Sequence, residues 1–276
     1  MPMPKIPIGN YVENIVDWLD TNFSFITKAI ADFIEWLIDS FVDILEYIPP
    51  WVLIIILSLA VWYITKKTGN TIFALVGLVL IWNLKLWSPT LTTIALVLFA
   101  TSTAVIIGIP LGILAALNKK SNKIIMPILD FMQTMPAFVY LIPAIPFFGI
   151  GKVSAVVATV IFAMPPAIRL TALGINQVPV ELIEAGNAFG STRMQKLTKI
   201  QLPIAKPTIM AGINQVIMLS LSMAVIAAMI GAKGLGGEVW KGIQRNNLGM
   251  GFEAGLGVVI IAMVLDKLTH RTKQQN

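Results

Sequence analysis

The sequence predicts an all-α integral membrane protein, on its composition and on the length of its apolar runs. Hydrophobic residues make up 57% of the 276-residue chain and charged residues only 12%, against roughly 25% charged residues in a typical soluble domain. Several apolar runs approach the ~20 residues that a helix needs to cross a bilayer. The basic residues cluster in a few loops, a pattern typical of membrane topology and not of nucleic-acid binding. Because the chain has no cysteine, disulfides and thiolate metal sites are excluded.

The first fifty residues predict an amphipathic helical segment at the membrane surface. From Ile26 to Ile48, apolar residues recur at helical spacing with carboxylates between them. Such a helix lies in the interface plane with its apolar face toward the acyl chains, or packs against other parts of the same complex. The run Asn22-Phe23-Ser24 is expected to separate it from a shorter helix. Since its polar face is acidic, we place the segment outside the cell, away from the anionic cytoplasmic leaflet.

Seven membrane spans are predicted after this segment. Four prolines prevent the fourth span from being one straight helix, and Pro165-Pro166 is expected to interrupt the fifth. A glycine-rich loop is predicted before the last span. The predicted spans are residues 51–65, 71–87, 88–117, 123–149, 152–173, 207–230 and 251–268.

Clusters of lysine and arginine set the predicted orientation. Four clusters fall on the same side of the alternating spans, and the positive-inside rule assigns that side to the cytoplasm. Lys233, Lys241 and Arg245 are exceptions on the outer side, partly balanced by Glu238 and Glu253. The prediction is a multi-pass protein of the cell membrane with its N-terminus outside and its C-terminus inside.

Polar residues at a break in the fourth span and along the sixth predict a translocation path. A broken helix in a membrane usually lines a cavity, because freed backbone groups in lipid would cost several kcal/mol each. The break begins at Asp130, which places a carboxylate at or near membrane depth. A kink satisfied by a neighbouring helix is the alternative, and the serines of the sixth span could simply allow close helix packing. The candidate path residues are Met132, Gln133, Thr134, Pro136, Asn214, Gln215, Ser220, Ser222 and Met223.

A polar stretch at residues 178–207 separates the fifth and sixth spans. Pro179 suits a first helical position, where its missing N–H costs nothing. Gly190 can end this helix in the left-handed conformation. Thr192 and Gln195 have the spacing of a capping box for a second helix. Two short helices joined at a glycine are therefore predicted on the cytoplasmic face, with the prolines near the end of the stretch turning the chain back into the membrane.

In this stretch Glu184-Ala185-Gly186 is followed by Gly190 and then by Ile200-Gln201-Leu202-Pro203. This order resembles the EAA loop of permease subunits of ATP-binding-cassette importers. That pattern is Glu-Ala-Ala, three residues, Gly, nine residues and Ile-x-Leu-Pro. The resemblance implies a coupling helix that docks on an ATPase subunit; an ordinary amphipathic loop on the membrane surface is the alternative. Gly186 replaces the second alanine of the pattern, and both residues are small enough to permit close approach. The matching residues are Glu184, Ala185, Gly186, Gly190, Ile200, Leu202 and Pro203.

No catalytic or metal site is predicted in this chain. It lacks the run G-x-x-x-x-G-K-[ST] with which a nucleotide-binding loop holds phosphates, so it is not expected to hydrolyse ATP unaided. His270 is the only histidine, and its place in a charged tail argues against a metal or acid–base role. No nucleophile is paired with a base.

From about residue 88 to its end, the chain resembles the permease domain of type I importers, and more specifically permeases for glycine betaine and related compatible solutes. Residues 10–87 correspond to the extra N-terminal amphipathic segment and two added spans of that family. The resemblance implies five core helices. Three runs carry it, at residues 165–179, 210–215 and 222–231, followed by the turn at 234–236.

This resemblance implies the permease subunit of an ATP-driven importer for quaternary ammonium solutes used in osmoprotection, working by alternating access in a bacterial cell membrane. The implied partners are a second copy of the permease, two ABC ATPase subunits that hold ATP and Mg, a substrate-binding protein on a separate chain, and membrane lipid. No cofactor in this chain and no nucleic acid are implied. The predicted segments are 1–50 (amphipathic), 51–87 (accessory spans), 88–270 (permease domain, coupling helices about 178–203) and 271–276 (tail).

Two alternatives remain. One is an importer for another small polar solute, such as choline, carnitine or an amino acid. The other is a channel or scaffold without an ATPase, against which the coupling stretch argues because a channel does not need it. If the solute is a zwitterion, it carries no net charge, so we expect a path of scattered weak dipoles more than a fixed ion.

Overall fold

The computed structural model describes residues 7–269, and every regular element in this range is helical. Short turns, two 3₁₀ turns and one wide π turn join the α-helices. The helices are α1 (Ile8–Tyr47), α2 (Pro50–Thr65), α3 (Thr68–Asn83), α4 (Trp87–Leu117), α5 (Lys119–Thr134), α6 (Leu141–Phe148), α7 (Lys152–Asn176), α8 (Val180–Ala188), α9 (Arg193–Lys196), α10 (Leu202–Ile226), α11 (Leu235–Gln244) and α12 (Leu248–Thr269).

The length and composition of the helices make this a multi-pass membrane protein. Within the described residues, four continuous helical segments could cross a membrane: α4, α7, Arg193–Ile230 and α12. Two bent pairs satisfy the same test jointly, which raises the number to six. One joins residues 21–47 to α2, and the other joins α5 to Ala137–Phe148. Because α3 is apolar but shorter, the total of seven spans stays a prediction.

The first helix, α1, is continuous over 40 residues, so the break predicted at Asn22-Phe23-Ser24 is wrong. The amide of Asn22 donates a hydrogen bond to the carbonyl of Trp18, one turn earlier. The side chain thus bonds its own helix and does not end it. Residues 21–47 meet α2 at 101°, the angle expected if one lies along a membrane and the other crosses it.

The second half of α1 packs on its own chain. Ile38 is fully buried with Leu96 of α4 and Val156 of α7. Lys152, at the start of α7, forms ion pairs with Glu35 at 3.1 Å and with Asp39. Contact with lipid along the first half of α1 stays a prediction.

The centre of the fold is formed by α4, α7 and α10. A Cβ added at Gly112 of α4 would lie 2.6 Å from the carbonyl oxygen of Ile168 on α7, so this contact requires glycine. The accessory helices α2 and α3 pack on α12 at one side, in an apolar cluster that includes Val61, Leu78 and Ile261.

The fifth predicted span is not interrupted, because α7 runs through Pro165 and Pro166. Both prolines are buried, and a Cβ added at Gly212 of α10 would lie 3.2 Å from the carbonyl oxygen of Pro166. Neighbouring helices therefore hold the backbone in place where hydrogen bonds are missing, as is common for proline in membrane helices. The expected break in the fourth span is present, since α5 and Ala137–Phe148 meet at 111°.

The predicted glycine-rich loop before the last span is instead the helix α11. Gly231 and Gly234 adopt φ angles of 82° and 115° and make the turn that precedes it. The N–H of Leu235 then donates to Oγ1 of Thr93 on α4 at 2.8 Å. Gly236 fits against α10, because an added Cβ would lie 2.6 Å from the carbonyl oxygen of Ala224. The glycines of this region therefore form the turn before α11 and let α11 pack closely on α10.

Candidate functional site

The end of α8 has the geometry that the sequence predicts. Gly190 adopts a φ of 72°. Its N–H donates to the carbonyl of Asn187 at 2.9 Å, and that of Ser191 donates to the carbonyl of Gly186 at 2.9 Å. These two bonds form a Schellman motif, which satisfies the last carbonyls of the helix. Pro179 lies one residue before the helix and not at its first position.

The capping box is also present. Oγ1 of Thr192 accepts the N–H of Gln195 at 3.3 Å, and Oε1 of Gln195 accepts the N–H of Thr192 at 2.8 Å. Reciprocal bonds of this kind start a helix at a fixed residue. The turn between α8 and α9 is therefore closed on both sides by local hydrogen bonds.

The second of the two predicted short helices, α9, continues into α10. The prediction of two short helices followed by a turn is therefore wrong. Residues Arg193–Ile230 form one helical segment of 38 residues that contains Pro203. A wide turn at Leu197–Gln201 precedes the proline, and the N–H of Leu202 donates to the carbonyl of Leu197, five residues back. This wider spacing lets the helix continue past a residue that lacks an N–H.

The signature residues divide into a packed set and an exposed set. Gly186 is buried, and a Cβ added there would lie 3.0 Å from Cδ1 of Ile200. Leu202 is partly buried, whereas Glu184 and Ala185 are exposed, as is Pro203. The pattern thus contains both residues that hold α8 against the wide turn and residues that another protein could contact.

Four large apolar side chains on α8, on α9 and in the turn between them are exposed, and they were not predicted as site residues from the sequence. Phe189 is 89% exposed and Met194 is 67% exposed, and Val180 and Leu182 are also exposed. Large apolar side chains in an otherwise polar stretch were the available signal. Exposed apolar groups grouped in this way are typical of an interaction surface. We call these four residues the coupling patch.

At the break in the fourth span, three candidate path residues are open. Gln133, Thr134 and Pro136 are exposed, while Met132 is partly buried. The hydroxyl of Thr134 donates to the carbonyl of Phe131 at 2.7 Å. The hydroxyl of Tyr140 donates to the carbonyl of Met132. The break is thus held by hydrogen bonds within the chain while its polar edge remains uncovered.

The polar stripe predicted on the sixth span is divided between two faces of α10. Gln215 and Ser222 are exposed, together with Met218 between them. Ser220 is fully buried and accepts a hydrogen bond from Thr101 at 3.2 Å, and Met223 is fully buried as well. Helical geometry explains this separation, since residues seven apart share a face and residues two apart do not.

Asn214 connects α10 to the end of α12. Its Nδ2 donates to Oδ1 of Asp266 at 3.2 Å, and its Oδ1 accepts from the hydroxyl of Thr269 at 2.9 Å. Neither Asp266 nor Thr269 was predicted as a site residue from the sequence. In this structure the amide lies in a network between helices, away from Gln215 and Ser222.

Asp130 forms an ion pair with Arg169 of α7, which brings two charges together beside the break. The two residues are 39 positions apart, and local sequence patterns gave no sign of their contact. No group of three or more potential metal-ligating side chains occurs in the part of the chain that the structure describes.

A family model and individual relatives both match this chain to membrane proteins of transport systems. The family described as "Binding-protein-dependent transport system inner membrane component" matches residues 108–271. The glycine betaine/carnitine transport permease protein GbuB of Listeria monocytogenes is 52% identical over 97% of this chain and 95% of its own length. The glycine betaine/proline betaine transport system permease protein ProW of Escherichia coli is 47% identical over 96% of this chain and 74% of its own.

A solved structure also matches. It is described as an inward-facing conformation of the MetNI methionine ABC transporter. The superposition has a TM-score of 0.56 at 25% identity and covers 64% of this chain and 87% of the matched one. The fold is therefore that of a type I importer permease.

Proposed function

Since the chain belongs to the family of binding-protein-dependent transport system inner membrane components, we propose that it is the permease subunit through which an ABC importer takes up glycine betaine and related solutes for osmoprotection. The observation that carries this proposal is the identity of 52% to GbuB over 97% of the chain. That match extends through the N-terminal helix and the accessory helices as well as the permease core.

The chemistry of the substrate class follows from the solutes named for these relatives. Glycine betaine, carnitine and proline betaine each carry a quaternary ammonium group and a carboxylate. The proposed substrate is therefore a small zwitterion with no net charge. Choline lacks the carboxylate, and its uptake alone would favour the alternative of a different small polar solute.

Proteins of this family work with ATPase subunits and substrate-binding proteins, and the ATPase is on a separate subunit. We propose that this permease forms a homodimer and that two ATPase subunits, with ATP and Mg, dock on the coupling patch and on Glu184. The exposure of Phe189 and Met194 beside the capped turn supports this assignment. The binding protein is proposed to be a separate chain.

The proposed orientation places α8 and α9 in the cytoplasm and α1 outside. Both follow from the positive-inside rule, and the ion pairs of α1 with Lys152 agree with it because that lysine begins α7 at the opposite end from α8. The proposed path runs along the exposed edge of the break, at Gln133 and Thr134, and along Gln215 and Ser222 of α10. Both surfaces are uncovered in the single chain.

The test is uptake of radiolabelled glycine betaine by cells that lack their own betaine importers and express the complete transporter. Uptake that requires all of the components, together with two ATPase subunits for each pair of permeases in the purified complex, is the expected result. Uptake of choline or an amino acid without glycine betaine would contradict the proposed substrate. Transport without any ATPase subunit would contradict the importer itself.

A further inference from the structure

Asp130 of α5 and Arg169 of α7 form an ion pair that joins two helices of the proposed permease core. Arg169 donates from Nη2 to Oδ1 of Asp130, across the contact between α5 and α7. In the single chain, 67% of the Asp130 side chain and 34% of the Arg169 side chain remain exposed. The pair is therefore attached to the chain's own helices and also open on one side.

If α5 and α7 enter the membrane as proposed, the position of the pair along both helices places it inside the bilayer. Asp130 lies seven residues beyond Lys123, the last of the lysines at the start of α5, and Arg169 lies seven residues before Asn176, where α7 ends. At ~1.5 Å per residue, Asp130 lies about 10 Å beyond Lys123, and Arg169 lies about 10 Å before the end of α7. Charged side chains at such depth are rare, pair with one another, and usually mark a solute or ion path.

The open side of the pair is continuous with the proposed path. Gln133 and Thr134 follow Asp130 by one turn of the helix and are exposed like it. Nε of Arg169 is buried and has no hydrogen-bond partner in the structure. An ion pair exposed to this degree contributes little to stability, because solvent screens the two charges. Stability alone therefore does not explain the pair.

We propose that Asp130 and Arg169 select zwitterions in the path by exchanging their ion pair for contacts with the solute. Arg169 then holds the solute carboxylate, since a guanidinium matches a carboxylate with two parallel hydrogen bonds. Asp130 lies against the quaternary ammonium group. Because the protein pair and the solute each have zero net charge, the site stays neutral before, during and after the exchange. This inference rests on the proposed function and adds the residues that recognise the substrate.

The experiment measures glycine betaine uptake by the complete transporter in proteoliposomes. Two double variants are compared with wild type: the neutral pair Asp130→Asn with Arg169→Gln, and the charge-keeping pair Asp130→Glu with Arg169→Lys. The neutral pair removes both charges together, so no unpaired charge remains in the membrane. A matched control neutralises a pair on α11, Glu238→Gln with Lys241→Gln, whose amine and carboxylate are 2.7 Å apart in wild type.

The expected result is uptake at least tenfold below wild type for the neutral pair, with normal amounts of assembled complex. The charge-keeping pair is expected to retain more uptake than the neutral pair but less than wild type, because its lysine still attracts the carboxylate and cannot form two parallel hydrogen bonds. The α11 control is expected within twofold of wild type. Wild-type uptake by the neutral pair would overturn the inference, as would its failure to assemble, because the pair would then be structural. Equal loss in the charge-keeping pair would also overturn it. If wild type itself does not take up glycine betaine, the proposed function fails instead.

Discussion

Gly186 and Ile200 pack so closely that a Cβ added to the glycine would lie 3.0 Å from Cδ1 of the isoleucine. Lys196 is the next neighbour, with its Cγ 3.4 Å from the same point. The contact with Lys196 joins α8 to α9, and the contact with Ile200 joins α8 to the wide turn that leads into α10. Since α8 is packed against the segment that continues into α10, we expect a movement of α8 to displace that segment.

Substitution at Gly186 is expected to depend on size. Gly186→Ala should be tolerated, because the nearest atom is the end of a flexible side chain and alanine favours the helix by roughly 0.5–1 kcal/mol. Gly186→Leu should overpack the contact, at a cost of about 1–3 kcal/mol, and reduce the ATPase that co-purifies with the permease. Equal recovery of ATPase with both variants would show that this contact does not position the coupling patch.

Gly190→Val tests the turn itself. The φ of 72° at this residue is a left-handed conformation that costs other residues roughly 1–2 kcal/mol, and a branched side chain adds to that cost. We expect normal membrane insertion with reduced ATPase association and reduced uptake. Gly69→Val is the matched control, since Gly69 has open space around it and no positive φ. Normal uptake by the Gly190 variant would count against a role in coupling.

The capped turn illustrates what the sequence could predict. Gly190, Thr192 and Gln195 act through hydrogen bonds within six residues of the chain, so their roles follow from local rules. Pro165 and Pro203 were expected to interrupt helices and do not, because in one case neighbouring helices and in the other a wide turn accommodate the missing N–H. Those effects depend on residues that are distant in sequence or on an irregular turn.

The sequence also could not predict which residues of a helix face the core. Ser220 and Ser222 belong to the same polar stripe, yet one is buried against Thr101 and the other is exposed. Only the positions of the neighbouring helices decide which serine faces inward. In the same way, local sequence patterns could not identify Arg169 as the partner of Asp130, because the two residues come from different helices.

Phe189→Ala tests the coupling patch directly. Phe189 is 89% exposed, so its truncation removes no contact that stabilises the permease. If the ring enters a groove of the ATPase, its loss should weaken association by about 2 kcal/mol, as is typical of a buried aromatic anchor. Phe25→Ala on α1 is the control, because that ring is 85% exposed and lies on a different helix. Unchanged ATPase recovery for Phe189→Ala would remove the residue from the interface.

The proposed topology is tested with single cysteines in a chain that has none. Asp43→Cys, on the exposed side of α1, should react with an impermeant maleimide added to intact cells. Lys120→Cys, at the start of α5, should react only after the membrane is permeabilised. Both positions are exposed, so burial within the chain does not explain a difference between them. The reverse pattern of labelling would invert the proposed orientation.

The proposed path is tested by placing a bulky side chain at each of its two exposed edges. Thr134 and Ser222 are both exposed in the single chain, so tryptophan at either position should leave the fold and the bound ATPase subunits in place. If two copies of the permease close around a shared path, the indole fills space that the solute needs, and uptake of glycine betaine should fall at least tenfold.

Val76→Trp, at a position on α3 that is 60% exposed, adds the same bulk away from the proposed path and should transport within about twofold of wild type. Ser220→Trp should instead reduce the yield of folded protein, because Ser220 is fully buried and overpacking of a core costs about 1–3 kcal/mol. Transport at the wild-type rate by both the Thr134 and the Ser222 variants would place the path on another surface.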